Sequence, residues 1–223
     1  MTAGNVFACF NPSQTLWQLG HLHCVTNTFI LGWNVQNSDE DGGVPRSIAE
    51  VIAHSLTDNY RVTFPCTSVD RAAVEGDCIP NSADWARRLD AVSISRSGRK
   101  CPDSAVLLST RNWETLIRAF DDGGFPWWLQ GQILMLTDQD NGDQLGISNS
   151  DIALLSCDDW CRKAQSVRSL SGVVRPGVDG SLAGIWTSDE IGQKRLLRSL
   201  EVVCRHEGLG WDILDEGAFE KRL

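Results

Sequence analysis

The hydrophobic pattern of the first 60 residues predicts one strand and one helix. Residues 25–35 are rich in β-branched and aromatic side chains, which is typical of a strand. Residues 36–45 are polar and rich in glycine, and they predict a loop. In residues 46–56 the apolar side chains recur at helical spacing and predict a short amphipathic helix. We treat residues 1–60 as an N-terminal strand and helix segment.

The rest of the chain divides into a central α+β unit, residues 61–130, and a C-terminal α+β unit, residues 131–223. One continuous domain is the alternative. The C-terminal unit opens with a predicted hairpin, in which strands at 132–137 and 144–148 are joined through Asn141 and Gly142. Asn-Gly favours a hairpin because both residues tolerate a positive φ.

A joint between a strand and a helix recurs in one register. An apolar run precedes each of Ser109, Ser156 and Thr187, and a helical pattern follows each. A hydroxyl side chain at this place suits a helix N-cap. The apolar residues around the three joints have the spacing of a hydrophobic staple: Leu108 with Trp113, Leu155 with Trp160, and Trp186 with Ile191.

These joints predict an α+β fold in which antiparallel strand pairs are each followed by a capped helix. Their recurrence has two explanations, a diverged internal repeat or the general chemistry of helix starts. The intervals between the joints are unequal, which argues against a solenoid of fixed period.

Composition and charge narrow the class of protein. The 42% apolar and 22% charged residues are those of a globular protein. No run approaches the roughly 20 apolar residues of a membrane span, and the N-terminus lacks the pattern of a signal peptide. We therefore expect a cytoplasmic protein. A net charge of −9 argues against direct binding of nucleic acid. It favours a basic protein partner, or serves only solubility.

The eight cysteines are scattered along the chain, unlike the framework of a short secreted protein. We expect most of them to be buried free thiols. An alternative is a reactive thiol at Cys157 or Cys161, at the start of a predicted helix.

His21, His23 and Cys24 are the best candidates for a metal site, because imidazole and thiolate suit zinc. A second pair of ligands is missing from the sequence pattern, so we predict no metal. Residues 138–143 lack the glycine and glutamate positions of a calcium loop. Phosphate-loop, dinucleotide and nucleophile-elbow motifs are also missing, so we predict no cofactor and no catalytic residue.

Large aromatic side chains provide the candidate binding residues. Phe125, Trp127 and Trp128 surround a proline just after two glycines, and Trp211 lies in a similar glycine-flanked stretch. Tryptophan is frequent among the anchors of protein interfaces. The alternative is that these rings fill the core, since tryptophan is buried in both settings.

Part of the central unit carries a pattern of motifs. Cys78 follows Gly76 and Asp77, Ser109 precedes Trp113 by four residues, and Phe125 closes the stretch after two glycines. Residues 76–125 thereby resemble a small acidic actinobacterial domain of unknown function that is encoded beside helix-turn-helix regulators. The family's opening tryptophan and serine cluster is absent, and residues 81–89 look inserted. The resemblance implies a regulator that contacts a DNA-binding partner, and it carries over no catalytic residue.

Three functions follow from these observations. The first is a non-enzymatic acidic regulator of a basic or DNA-binding protein. The second is an immunity or inhibitor protein that neutralises a toxin or nuclease. The third is a thiol- or metal-dependent enzyme that uses His21, His23 and Cys24.

Overall fold

The structure, a computed structural model, describes residues 4–13, 15–16, 20–21, 26–35, 60–66, 92–94, 106–110, 134–138, 159–168, 170–176 and 182–222. The strands in these ranges are β1 (Gly4–Phe10), β2 (Thr15–Leu16), β3 (Gly20–His21), β4 (Thr28–Val35), β5 (Tyr60–Cys66), β6 (Val92–Ile94), β7 (Val106–Thr110), β8 (Leu134–Asp138), β9 (Leu170–Pro176), β10 (Leu182–Thr187) and β11 (Gly210–Leu214). The helices are α1 (Trp160–Ala164), α2 (Glu190–His206) and α3 (Glu216–Glu220).

Nine of these strands form one mixed sheet in the order β11-β1-β4-β10-β9-β8-β5-β7-β6, while β2 and β3 form a separate pair. The neighbours in the large sheet are antiparallel, except that β1 and β11 run parallel. A largely antiparallel sheet with helices confirms the predicted α+β class. Strands from residues 1–60, 61–130 and 131–223 all belong to this sheet, and the division into domains stays a prediction.

Three of the predicted strands are confirmed, and the predicted hairpin is wrong. Residues 25–35 contain β4, residues 132–137 contain most of β8, and residues 182–186 lie in β10. The hairpin required β8 to pair with residues 144–148. Instead β5 occupies one edge of β8 and β9 occupies the other, so no edge is left for a neighbour across the Asn-Gly turn.

One face of the sheet packs against α1 and α3. Alternate strand residues project to one face, and those on this face form a single buried cluster with side chains of the two helices. The cluster includes Phe7, Cys9, Ile30, Met135, Val173 and Trp186 from the strands, Trp160 and Cys161 from α1, and Phe219 from α3. Trp160 is the largest of its fully buried side chains, so here an indole serves the core.

The opposite face of the sheet is also buried where β1, β4 and β10 form it. Its side chains include Val6, Ala8, Phe29, Leu31 and Ile185, all buried. α2 contacts the strands β10 and β11 that it connects, and its buried stripe consists of Gln193, Leu196, Leu200 and Cys204. These residues recur every three or four positions, which is the spacing of one helix face. We therefore place α2 over this second face.

The start of α2 corrects the prediction for Thr187. Asp189 is the N-cap, and its carboxylate accepts a hydrogen bond from the Gly192 N–H at 2.6 Å. Thr187 is still part of β10, because its N–H donates to the Asn27 carbonyl at 3.1 Å. The staple between Trp186 and Ile191 is also wrong, since Trp186 is buried while Ile191 points into solvent.

The end of α2 is closed by a left-handed glycine. Gly208 has a φ of +68°. The Leu209 N–H donates to the Cys204 carbonyl at 2.8 Å, and the Gly208 N–H donates to the Arg205 carbonyl at 3.4 Å. This pair of bonds defines a Schellman motif, which turns the chain directly from α2 into β11.

The other two joints are described only in part. α1 begins at Trp160 with Asp159 at the N-cap, so the prediction of Ser156 as that cap is wrong. Ser156 lies outside the described residues, and so does the predicted helix at 46–56. Ser109 lies in β7, which continues to Thr110, so the prediction of Ser109 as a helix N-cap is wrong. Residues 111–133 are outside the described part of the chain.

Candidate interaction surface

The strand β11 forms one edge of the large sheet. It is the first strand in the spatial order, and among the described strands only β1 pairs with it. The other edge of β11 therefore presents backbone N–H and C=O groups that no described strand uses. Such an edge is a template on which another chain can add a strand.

Two large apolar side chains share one face of β11. Trp211 and Ile213 lie opposite Val6 and Ala8 of β1, whereas Asp212 lies opposite Phe7 and projects to the other face. Ile213 is 60% exposed, and Trp211 is half-buried. An exposed aliphatic group beside an indole on an open edge provides both main-chain and side-chain contacts for a partner.

The edge is held in place by α3. The Phe219 ring packs against the Phe7 ring with a centroid distance of 5.0 Å and an angle of 65°. The Arg222 guanidinium donates to the Asp212 carboxylate at 2.6 Å and lies 5.8 Å from the centroid of Phe7. These contacts support β11 from the face opposite Ile213.

A second set of contacts joins α3 to the loop after β1. The backbone N–H and the hydroxyl of Ser13 donate to the two carboxylate oxygens of Glu216, both at 2.8 Å. Asp215 caps α3 by accepting from the Ala218 N–H at 2.8 Å. The start of α3 is thus tied to the first strand of the chain, and β11 is a supported edge.

Charge is distributed unevenly over the C-terminal part of the molecule. Residues 207–222 around β11 and α3 carry five acidic side chains (Glu207, Asp212, Asp215, Glu216 and Glu220) against two basic ones (Lys221 and Arg222). In α2 the balance is reversed, with Lys194, Arg195, Arg198 and Arg205 against Glu190 and Glu201. The β11 edge therefore lies in an acidic region, next to a basic helix.

The whole of the chain's acidic excess comes from residues 1–158. Of the 29 acidic and 20 basic side chains, 19 and 10 lie in residues 1–158, which leaves 10 and 10 in residues 159–223. The net charge of −9 is thus a property of residues 1–158, and the acidic region around β11 is a local feature of an otherwise balanced C-terminal part.

Three of the eight cysteines are buried free thiols, as predicted: Cys9, Cys161 and Cys204. Burial raises the pKa of each thiol from 9.0 to about 11. For Cys9 the negative charges of Glu216 and Asp215 raise the pKa further. A thiol with so high a pKa is protonated at neutral pH, which argues against a reactive thiol at Cys161.

The structure describes only some of the predicted site residues. Trp211 lies on the β11 edge, while Phe125, Trp127 and Trp128 lie outside the described residues. His21 belongs to β3, and His23 and Cys24 lie outside the described part. In the ranges that the structure describes, no group of three His, Cys, Asp or Glu side chains is arranged to hold a metal ion.

Ile213 is the one residue of the surface that the sequence analysis missed. Its only signal is the alternation of Trp211, Asp212 and Ile213 directly after Gly208 and Gly210, which predicts a short strand. Alternation alone does not say that the strand lies at an edge.

Comparisons of the chain with protein-family models, with curated proteins and with solved structures give no match. Among the described residues, none of the helices has the length and apolar character needed to cross a bilayer.

Proposed function

We propose that the protein is a non-enzymatic binding protein that binds a basic protein partner at the β11 edge. The observation that carries this proposal is the exposed Ile213 beside Trp211 on an open edge strand. A partner strand added there gains main-chain hydrogen bonds, and its side chains contact the two apolar groups.

The charge around the edge supports a basic partner. Five carboxylates and two cations occupy residues 207–222, and residues 1–158 add the net negative charge of the whole chain. Complementary charge speeds association and excludes partners of the wrong sign. The aromatic cluster of Phe125, Trp127 and Trp128 is proposed as a second contact on the same partner.

Regulation of a DNA-binding protein is the first candidate for the purpose of this binding, and the resemblance of residues 76–125 favours it. The immunity or inhibitor role is the alternative, because an acidic surface would equally cover the basic site of a nuclease. The three buried free thiols suit a reducing compartment, which supports a cytoplasmic location. The third candidate is a thiol- or metal-dependent enzyme that uses His21, His23 and Cys24. Stoichiometric zinc in the purified protein would support its metal-dependent form against the binding function.

We also propose that the β9–β10 pair followed by capped α2 is one copy of a diverged repeat. A second copy would be β5 and β7 followed by a helix that starts after Thr110. Both strand pairs are antiparallel. Backbone chemical shifts test this, because residues 112–120 should have helical values.

The test of the binding function is a charged substitution on the edge. In Ile213→Lys the side chain carries a charge into the contact and repels a basic partner. We expect that Ile213→Lys no longer captures from host extract the partner that the wild type captures. Calorimetry with the purified partner should show binding to Ile213→Lys at least tenfold weaker than to the wild type. Capture of a transcription regulator supports the first purpose, and capture of a nuclease or toxin supports the second.

The matched control is Gln165→Lys, which adds the same charge to an exposed position after α1. It should bind like the wild type, and both variants should keep the wild-type melting temperature because both sites face solvent. Unchanged binding by Ile213→Lys would refute the role of the β11 edge.

A further inference from the structure

The outward face of α2 has a regular pattern of its own. Opposite the buried stripe lie Ile191, Arg195, Arg198 and Val202, separated by four, three and four residues. Ile191 is 70% exposed and Val202 is 55% exposed, and both arginines are exposed. Spacings of four and three residues are those by which one helix packs along another. We call these four residues the outer stripe of α2.

The charges of the outer stripe have no partners in the described part of the chain. Lys194 pairs with Glu190 at 2.7 Å, and Arg205 pairs with Glu201 at 2.8 Å. No described carboxylate pairs with Arg195 or Arg198. The stripe therefore presents two free guanidinium groups between two exposed aliphatic groups, over a length of about 16 Å at 1.5 Å per residue.

We propose that the outer stripe of α2 is a docking site for an acidic helix of a partner protein. That helix carries an aliphatic residue, two carboxylates and a second aliphatic residue at the same spacings. The carboxylates pair with Arg195 and Arg198, and the aliphatic groups cover Ile191 and Val202. Arginine suits this role because its planar group binds a carboxylate through two hydrogen bonds.

Two other occupants fit the stripe less well. A nucleic acid would leave Ile191 and Val202 without apolar contacts, and only two cations would be free for its phosphates. A second copy packed antiparallel through α2 would bring Arg195 and Arg198 against the same residues of its neighbour. The net charge of −9 on each copy would add to that repulsion.

The outer stripe of α2 and the β11 edge lie on neighbouring elements, but they differ in charge. The acidic edge selects a basic partner, whereas the basic stripe selects an acidic one. The inference therefore does not depend on the proposed function, and the protein would connect two partners of opposite charge.

The experiment measures binding of a labelled synthetic helix by fluorescence anisotropy, with the full chain as receptor. The peptide carries Leu, Glu, Glu and Leu at spacings of four, three and four. We expect weak binding that falls as salt is raised to about 0.3 M, because exposed ion pairs are screened. In the double variant Arg195→Glu/Arg198→Glu, binding should fall at least tenfold. A peptide with Lys in place of Glu should then bind the double variant and not the wild type.

The matched control is Arg168→Glu/Lys221→Glu, which makes the same charge change at two exposed positions outside α2. It should bind the acidic peptide within about twofold of the wild type, and circular dichroism should show that both double variants are folded.

Three results would overturn the proposal. A peptide of the same composition but scrambled spacing could bind equally well, which would mean that charge alone is recognised. Duplex DNA could bind to the wild type and not to Arg195→Glu/Arg198→Glu, which would indicate a nucleic-acid site. Sedimentation could detect a wild-type dimer that the same variant abolishes, which would make a second copy the occupant.

Discussion

Gln193 is a polar residue on the buried stripe of α2. Its side chain is only 7% exposed, and its Nε2 atom has no hydrogen-bond partner in the described part of the chain. A buried donor without an acceptor loses the hydrogen bond that it makes with water in the unfolded state. We predict that Gln193→Leu raises the free energy of unfolding by about 1 kcal/mol, measured by urea denaturation.

Gln193→Glu is the control for this prediction. It has almost the same shape but places a charge in the same buried site, so it should be less stable than the wild type. If Gln193→Leu is also less stable than the wild type, the amide has a partner that the prediction does not include.

The three buried thiols make stability depend on pH in the alkaline range. Because burial raises the pKa of Cys9, Cys161 and Cys204 from 9.0 to about 11, the unfolded chain loses these protons at lower pH than the folded protein. Their contribution to stability is therefore complete below pH 9 and is lost as the pH rises towards 11. We predict that the free energy of unfolding falls across this window, measured by urea titrations at several pH values.

A variant in which all three cysteines are replaced by alanine separates the thiols from other groups that titrate in the same range. Its stability should be lower at pH 7 but should fall less steeply between pH 9 and 11. An equal slope in both proteins would mean that the thiols are not responsible.

At the scale of the element, the end of α2 depends on Gly208. A side chain at a φ of +68° is strained by roughly 1 kcal/mol, although nothing lies within 4 Å of the place where a Cβ would be. We predict that Gly208→Ala lowers the free energy of unfolding by about 1 kcal/mol. Gly217 in α3 is the matched control, because a Cβ there would make only ordinary contact with Asp215. Gly217→Ala should therefore be neutral or stabilising, and equal losses in both variants would refute the conformational explanation.

Local sequence patterns predict some of these elements and fail for others. Periodicity was sufficient for β4, β8, β10 and the body of α2, because each has a strong apolar repeat. It failed at the start of α2, where Thr187, Ser188 and Asp189 are all good caps. The choice is made by sheet pairing, since the Thr187 N–H donates to Asn27 far away in sequence. A prediction of the N-cap from neighbouring residues alone cannot take the hydrogen bond between Thr187 and Asn27 into account.

At the scale of the whole molecule, sequence patterns do not determine which strands are neighbours. β1 pairs with β11 although some 200 residues separate them. Nothing in the sequence of either strand identifies the other as its neighbour. The candidate interaction surface also depends on which strands are neighbours. Trp211 could be proposed from its type and its flanking glycines, whereas Ile213 becomes a candidate only when β11 is known to lie at the edge.

The same pairing leads to a prediction for a shortened chain. Removing residues 210–223 deletes β11 and α3, which exposes one edge of β1 and uncovers the ring of Phe7. An open edge with buried apolar residues favours aggregation. We expect sedimentation and circular dichroism to detect aggregated or unfolded material. Removing Leu223 alone should leave both properties unchanged, and a monomeric, folded chain that ends at residue 209 would contradict the prediction.

The parallel pairing of β1 with β11 also bears on protein synthesis. β1 leaves the ribosome long before β11 exists, so the hydrogen bonds of its outer edge must wait until some 200 further residues have been translated. Contacts between such distant residues slow folding and leave apolar strand edges uncovered in the meantime. Nascent chains of this protein should therefore need chaperones until the last strand is in place.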